Sequence, residues 1–487
     1  MYFPFESSAF VMVVHVALVL AIGVRVVMRR SVRGVALSWL LLVVTLPVAG
    51  AVVYLLIGER RIGRRRTHAI TTLRTDFRQI ARATIPTDFT AVPWSDLPAA
   101  AQAMDRLGRS MIGFATVRGN SFEMVTDTQA ILARIVRDID AARTSVLMEF
   151  YIWSDGGAAD DVVDAVIRAA ARGVQCRLLV DALGARPWWK GRQPKRLRDA
   201  GVQLRSALPT GLFRTLIGRT DLRLHRKIVV IDGMTAWTGS MNLVDPRYFK
   251  QESGVGEWVD AMVRFQGAVV NPLAGILVGD WILETGEPLH ELIAAAGLGR
   301  AQPLGTANVQ IVPSGPGESE DGLLQMILGL INAARHELVL TTPYLVPDDS
   351  MILALRGAAG RGVQVTLIVP EKVDSFLTRY ASRSYYDDLL DAGVVIQLYR
   401  GGLLHTKSIA VDGAMSMFGT VNLDMRSLWL NYEVALFIYH REFTETLRTL
   451  QKSYALQSTQ LDPTVWAGRP FRERLIENTL RLFSPLL

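Results

Sequence analysis

Two histidines, two lysines and two asparagines recur in this chain at matched positions about 180 residues apart. The first set runs His225-Arg226-Lys227-Ile228-Val229-Val230-Ile231-Asp232-Gly233 and continues to Gly239-Ser240-Met241-Asn242. The second runs His405-Thr406-Lys407-Ser408-Ile409-Ala410-Val411-Asp412-Gly413 and continues to Gly419-Thr420-Val421-Asn422. Seven polar or glycine positions match at identical spacing, while the residues between them vary. A hairpin repeated for its fold alone would keep its apolar residues and its turn. It would have no need of His, Lys and Asn. The pattern therefore implies one reactive site built from two halves.

The lysines sharpen this reading. Of 53 Lys and Arg residues only seven are Lys, and two of those occupy the matched positions. Where a chain writes nearly all its positive charge as Arg, a retained Lys points to a compact ammonium gripping a phosphate oxygen as a point charge. Two imidazoles, two ammoniums and two amides suit a phosphodiester. Lysines and amides neutralise and orient its non-bridging oxygens. One imidazole attacks phosphorus; the other protonates the leaving alcohol and then deprotonates the incoming one. A carboxylate on the second nitrogen of each ring would fix its orientation. Asp260 and Glu433, each following its own motif on an apolar run, are the candidates.

These groups need elements to hold them. His-x-Lys on an extended segment places both side chains on one face. The β-branched run after each Lys, followed by Asp-Gly, reads as a hairpin. A two-residue turn would set Ser240 beside His225 and Thr420 beside His405, with Asn242 and Asn422 on the same face. Asp232 and Asp412 fit a turn role as well as a chemical one.

Around the hairpins the chain reads as a tandem α/β repeat. Helical periodicity over Ile131–Ala142 and Val162–Arg172 alternates with strand-like Ser145–Trp153 and Val174–Val180. Leu323–Arg335, Leu338–Val346, Met351–Arg361 and Val363–Val369 repeat that order. Local wording recurs, as in Arg172-Gly173-Val174-Gln175 and Arg361-Gly362-Val363-Gln364. The pattern predicts a mixed sheet with flanking helices in each half. The first half is expected over 110–312 and the second over 323–487, with linkers at 67–109 and 313–322.

Length and charge fit this frame. The chain has 487 residues and net charge +7, enough for two well-filled cores and suited to an anionic partner. Cys176 is the single cysteine, so no internal disulfide forms. No Cys/His cluster has metal-ligand spacing and no P-loop is present, so neither metal nor cofactor is expected. At the N-terminus, residues 9–28 and the uncharged run 35–57 each have the length of a membrane span. They predict a hairpin anchor over residues 1–66, including its basic flank. Eight arginines from Arg60 to Arg82 outnumber the four around the connector, which favours a cytoplasmic catalytic portion. Near the C-terminus, Phe471–Leu487 reads as a helix packed on the second half rather than one lying in a membrane surface.

The paired motifs resemble the HKD motifs of the phospholipase D superfamily. With Glu149-Phe150-Tyr151-Ile152-Trp153, Thr342-Pro343-Tyr344-Leu345-Val346-Pro347-Asp348 and Asn422-Leu423-Asp424-Met425-Arg426-Ser427, the chain is similar to the bacterial cardiolipin synthases. That resemblance implies two tandem phospholipase D-like α/β halves preceded by two transmembrane helices. It implies a single site of His225, Lys227, Asn242, His405, Lys407 and Asn422, with His225 as nucleophile and His405 as general acid and base. It places Asp232 and Asp412 in the catalytic motifs, with Ser240, Asp260, Thr420 and Glu433 in support. The reaction implied joins two phosphatidylglycerols into cardiolipin and glycerol at the bacterial inner membrane, with no nucleic-acid partner. A phospholipase D or a phosphatidylserine-type transferase would use the same residues with another acceptor. An HKD nuclease fits less well, because two membrane helices would have no use there.

Overall fold

The duplication in the sequence becomes a single continuous sheet. The computed structural model describes residues 5–28, 33–46, 48–58, 66, 68–73, 87–209, 221–319, 321–482 and 484. The chain divides into two units, one of Met1–Thr67 with Thr210–Asp221 and one of His68–Pro209 with Leu222–Leu487.

The first unit holds helices Phe5–Met28, Arg33–Thr45 and Ala49–Ile57. They pack through Ile22, Val26, Val43, Ala51 and Tyr54, with Trp39 edge-on to Tyr54 at 5.5 Å. The run expected as one span over 35–57 is therefore two helices. The interval between Thr45 and Ala49 contains Pro47, a residue with no backbone N–H to continue a helical ladder. Among the described residues no helix is long and apolar enough to cross a membrane, so the two expected spans are not seen as such.

The second unit carries both motifs. Its first half contributes β1 (Val117–Val125), β2 (Ser145–Phe150), β3 (Gln175–Asp181), β4 (Gln203–Ala207), β5 (Ile228–Ile231), β6 (Thr235–Gly239), β7 (Trp258–Val259) and β8 (Met262–Gly267). The second half opens with β9 (Ala307–Ser314), β10 (Glu337–Thr341), β11 (Leu345–Val346), β12 (Gln364–Pro370) and β13 (Val395–Tyr399). It closes with β14 (Leu403–Leu404), β15 (Ser408–Val411), β16 (Met415–Gly419), β17 (Leu423–Asp424), β18 (Glu433–Tyr439) and β19 (Ser458–Gln460).

Fifteen of these form one sheet in the order β19-β13-β12-β10-β15-β16-β18-β9-β1-β8-β6-β5-β2-β3-β4. Reading outward from the β9–β1 junction, each of the seven first-half strands has its counterpart in the second half, and β19 is an additional edge strand there. The outer strands β2-β3-β4 and β10-β12-β13 run parallel, joined by helices such as Ala158–Ala171 and Asp349–Gly360. Their continuous apolar runs follow from burial on both faces. A core cluster including Leu147, Ile228, Val263, Val309, Leu436 and Phe443 runs across the junction.

This sheet corrects three expectations. The halves do not keep separate sheets. The second half begins with β9, the counterpart of β1, so the boundary precedes 307, and Pro313 and Ser314 belong to a strand rather than a linker. Part of the expected linker 67–109 is structural too: helix Ala99–Met111 buries Ala101 and Met104 in the second half's core.

Candidate active site

Each motif lysine and its histidine lie at the entry to a hairpin, β5–β6 or β15–β16. The ladders pair Ile228 with Thr238 and Ser408 with Phe418, one residue out of the register expected for a two-residue turn. A one-residue shift turns side chains to the other face. Ser240 and Thr420 accordingly serve a different partner from the one expected. The preceding glycines are required by packing, since a Cβ at Gly239 would collide with the Ala261 carbonyl and one at Gly419 with that of Val434.

The segment before each histidine runs alongside the other half. Leu224 bridges Tyr432 in parallel, with the His225 N–H donating to the Tyr432 carbonyl at 2.9 Å. In β14, Leu403 and Leu404 pair with Trp258 and Val259 of β7, and the His405 N–H donates to the Val259 carbonyl at 2.8 Å. One residue further along, each imidazole meets a carboxylate from the opposite half. His225 Nδ1 lies 2.8 Å from Glu433 Oε2, and His405 Nδ1 lies 2.7 Å from Asp260 Oδ1. The hydroxyls then complete the crossing: Thr420 donates to Glu433 and Ser240 to Asp260, each at 2.6 Å. Ser240 thus supports the carboxylate of His405 rather than sitting as a partner of His225.

Both ammoniums are fully buried and turn back on their own histidine carbonyls, Lys227 at 2.6 Å and Lys407 at 2.5 Å. One of three donors on each is thereby used. Asn242 accepts the Ile152 N–H at 3.1 Å, and its buried Nδ2 has no acceptor among the described residues. Asn422, also buried, hydrogen-bonds Asp424.

Burial sets the protonation states. It pushes His225 down to about 4, with both lysines adding to the effect and Glu433 opposing it. It does the same to His405, again to about 4, with Lys407 and Lys227 adding and Asp260 opposing. Each histidine thus feels the ammonium of the other half as well as its own. Burial alone would raise Glu433 and Asp260, but the facing histidine, the lysines and the hydroxyl outweigh it and hold both carboxylates below their ordinary values. Ionised carboxylates accept the Nδ1 proton of each ring, which leaves Nε2 with its lone pair. Burial also brings Lys227 down to about 8, and Lys407 well below the ordinary lysine value. An anion in such a site would reverse these shifts.

Asp232 and Asp412 lie elsewhere. Asp232 accepts the backbone N–H groups of Arg143, Thr144 and Ser145, and Asp412 those of Arg335, His336 and Glu337. Both occupy left-handed turn positions, φ 54° and 49°, at the far end of the hairpin strand. Seven residues of extended chain put them roughly 20 Å from the histidines. Their grouping with the catalytic set is corrected: they cap the loops leading into β2 and β10.

Other residues of the site were not singled out from sequence. The Tyr151 ring meets His225 edge-on at 5.0 Å, and the Trp258 ring tilts against His405 at 4.4 Å. Arg226 donates to the Glu433 carbonyl at 3.0 Å and to that of Ser314 at 3.1 Å, and pairs with Asp280, so it braces the strand that carries Glu433. An Arg beside a motif Lys looked like background in an Arg-rich chain. Trp258, two residues before Asp260, was legible only by the alternation that also marks Asp260.

Comparison with known proteins agrees with this geometry. The family described as cardiolipin synthase, PLD-like domain matches residues 135–255 and 327–453, one stretch around each motif. Cardiolipin synthase A of Erwinia tasmaniensis is 42% identical over 471 residues, covering 96% of each chain. The chain belongs to the cardiolipin synthase family. Cardiolipin synthase A of Proteus mirabilis is 42% identical over 474 residues, again with 96% of each chain covered. A family described as phospholipase D-nuclease N-terminal matches residues 16–59. Among solved structures, phosphatidylserine synthase of Haemophilus influenzae shares the fold, with TM-score 0.60 at 16% identity over 79% of this chain and 98% of that one.

Proposed function

We propose that this member of the cardiolipin synthase family joins two phosphatidylglycerols into cardiolipin and glycerol through a histidine-bound phosphatidyl group. His225 Nε2 attacks the phosphorus of the first lipid. The bond from phosphorus to the glycerol headgroup breaks, and His405 gives that oxygen its proton. The hydroxyl of a second phosphatidylglycerol then passes its proton to His405 and attacks phosphorus. The P–N bond breaks and both histidines return to their starting states. Lys227, Lys407 and Asn242 hold the non-bridging oxygens, doing electrostatically what a metal would otherwise do.

The crossed carboxylates are the observation that carries this reading. Neither histidine is oriented within its own half, so a single half has no complete acid, base or nucleophile. The starting state also follows from the site. Both rings are neutral when it is empty, which suits the nucleophile. The negative charge of a bound phosphodiester raises the second ring so that it carries the proton the leaving oxygen needs. One phosphodiester is exchanged for another, so no nucleotide is consumed.

Association with a bilayer supports the same reading. Met12, Val16, Leu20, Val24, Val27, Leu37 and Leu41 leave half or more of their surface exposed on the N-terminal helices, an apolar area that calls for lipid. We assign these helices to the bacterial inner membrane, and the arginines that follow them in sequence favour a cytoplasmic catalytic unit. The test uses the full chain in micelles with phosphatidylglycerol alone, excess EDTA and no nucleotide. Cardiolipin and glycerol appearing in equal amounts is the expected result. Phosphatidic acid as the sole product, or activity that returns only with added magnesium, would overturn the proposal.

A further inference from the structure

The two halves match at the catalytic positions and differ beside them. Two residues before His225 stands Arg223; two before His405 stands Leu403. Leu224, between Arg223 and His225, is buried in the core cluster with Ile228 and Val263, so its neighbours face away from that core. Tyr432 fixes both of them, its N–H donating to the Arg223 carbonyl at 2.8 Å and its carbonyl accepting the His225 N–H at 2.9 Å. Arg223, His225 and Lys227 therefore stand in a row on one face, about 7 Å from one to the next. In the second half the corresponding position is apolar: Leu403 packs with Trp258 and Val255.

Arg223 is 8% exposed, yet it has no ion pair among the described residues. Its hydrogen bond there goes to the adjacent Leu222 carbonyl, which leaves Nε and Nη2 without a protein acceptor. The carboxylate of Asp181 is occupied by the N–H groups of Leu183, Gly184 and Leu224. The guanidinium has the Asp181 carboxylate as a neighbouring counter-charge. Its remaining donors have no acceptor among the described residues, so they can meet a further anion. Its charge is felt by the Tyr151 hydroxyl, on the ring that touches His225.

Resting on the proposed function, we infer that Arg223 forms a second phosphate subsite, which takes the phosphodiester of the acceptor lipid while the reacting phosphate lies between the histidines. The dimensions agree. A three-carbon glycerol bridge separates two phosphorus atoms by roughly 7 Å at ordinary bond lengths, close to the spacing from His225 to Arg223. A planar guanidinium with free donors suits a phosphate oxygen pair. The apolar flank at Leu403 offers no equivalent, so the two lipids are held differently.

Two reactions of the same enzyme separate the subsite from the chemistry. Cardiolipin formation needs an acceptor that carries a phosphate; exchange of labelled glycerol into phosphatidylglycerol does not. In mixed micelles, Arg223→Met is expected to lower the ratio of cardiolipin formation to glycerol exchange by about 30-fold, through KM for phosphatidylglycerol. Arg223→Lys should lose less. An unchanged ratio in Arg223→Met overturns the subsite, and so does parallel loss of both reactions in a variant that remains folded, because Arg223 would then serve the reacting phosphate. If Arg223→Met does not fold, the ratio in Arg223→Lys decides in the same way. Wild-type protein that exchanges glycerol yet forms no cardiolipin would overturn the proposed function, and the subsite with it.

Discussion

His225 and Glu433 are 208 residues apart in sequence and 2.8 Å apart in the fold. The bond crosses from one half of the duplication to the other, and the bond between Asp260 and His405 returns across the same boundary. A duplicated half that paired its histidine internally could work alone. Here each half lends the other its orienting group, which ties the integrity of the site to the β9–β1 junction of the sheet.

Removing one carboxylate should therefore disable the opposite half's histidine. Glu433→Gln is expected to reduce turnover by roughly 10²–10⁴-fold, the usual worth of a positioned acid–base group. Combining it with His225→Ala should cost little beyond His225→Ala alone, since the two residues act as a unit. Steady-state kinetics of the four proteins check this. Fully multiplicative losses would mean that Glu433 acts independently of His225.

The pH profile should reflect burial of the cationic groups. Lys227 is brought down to about 8, so its charge is present below that pH and is lost as pH rises through it. Thus kcat/KM should fall above about pH 8. A bound phosphodiester raises the lysine again, so the fall in kcat should lie at higher pH. On the acid side His225 is near 4, so protonation of the nucleophile should depress kcat/KM below about that pH. The general acid His405, also near 4 in the empty site, gains its proton only with substrate. So kcat/KM should already decline with rising pH above about 5 and fall more steeply above about 8. A kcat/KM with no steeper fall between about pH 8 and pH 10 would show that neither ammonium is needed.

Asp232 tests the division between fold and chemistry within the motif. Its carboxylate accepts three consecutive backbone N–H groups at a left-handed turn. Asp232→Ala is expected to lower stability by about 1–3 kcal/mol, with turnover of the folded protein within a few-fold of wild type. Asp232→Asn keeps an acceptor and tolerates the positive φ, so it should lose less. Thermal unfolding beside activity assays distinguishes the roles. A folded Asp232→Ala protein at a hundredth of wild-type turnover would restore a chemical role.

Much of this architecture was legible because two kinds of pattern were strong. Apolar runs such as Val174–Val180 and Val363–Val369 announced buried strands, which appear as Gln175–Asp181 and Gln364–Pro370. Matched polar residues at fixed spacing announced the site. What was hidden is long-range. Nothing local to Asp260 or Glu433 states which histidine it serves, because that depends on a parallel pairing between segments about 145 or 208 residues apart. The hairpin register failed for a physical reason as well: the return strand pairs from Thr235, leaving Met234 in the loop, and that single residue redirects Ser240. Asp232 illustrates a third case, where a residue with turn chemistry lies inside a reactive motif and spacing alone cannot separate the roles.

The covalent step has its own signature. Protein quenched during turnover of phosphorus-labelled phosphatidylglycerol is expected to hold label in an acid-labile, base-stable bond, as a phosphoramidate would. His225→Ala should hold none, whereas His405→Ala should still be labelled by a donor whose leaving group needs no proton. Label kept in His225→Ala and lost in His405→Ala would reverse the two roles.

The shared site is tested most directly by cardiolipin formation in the two single-histidine variants. His225→Ala and His405→Ala should each fall to less than about a thousandth of the wild-type rate, while remaining folded and membrane-bound. If either variant keeps about half the wild-type rate, each half has its own working site, and the crossed arrangement is not the catalytic one.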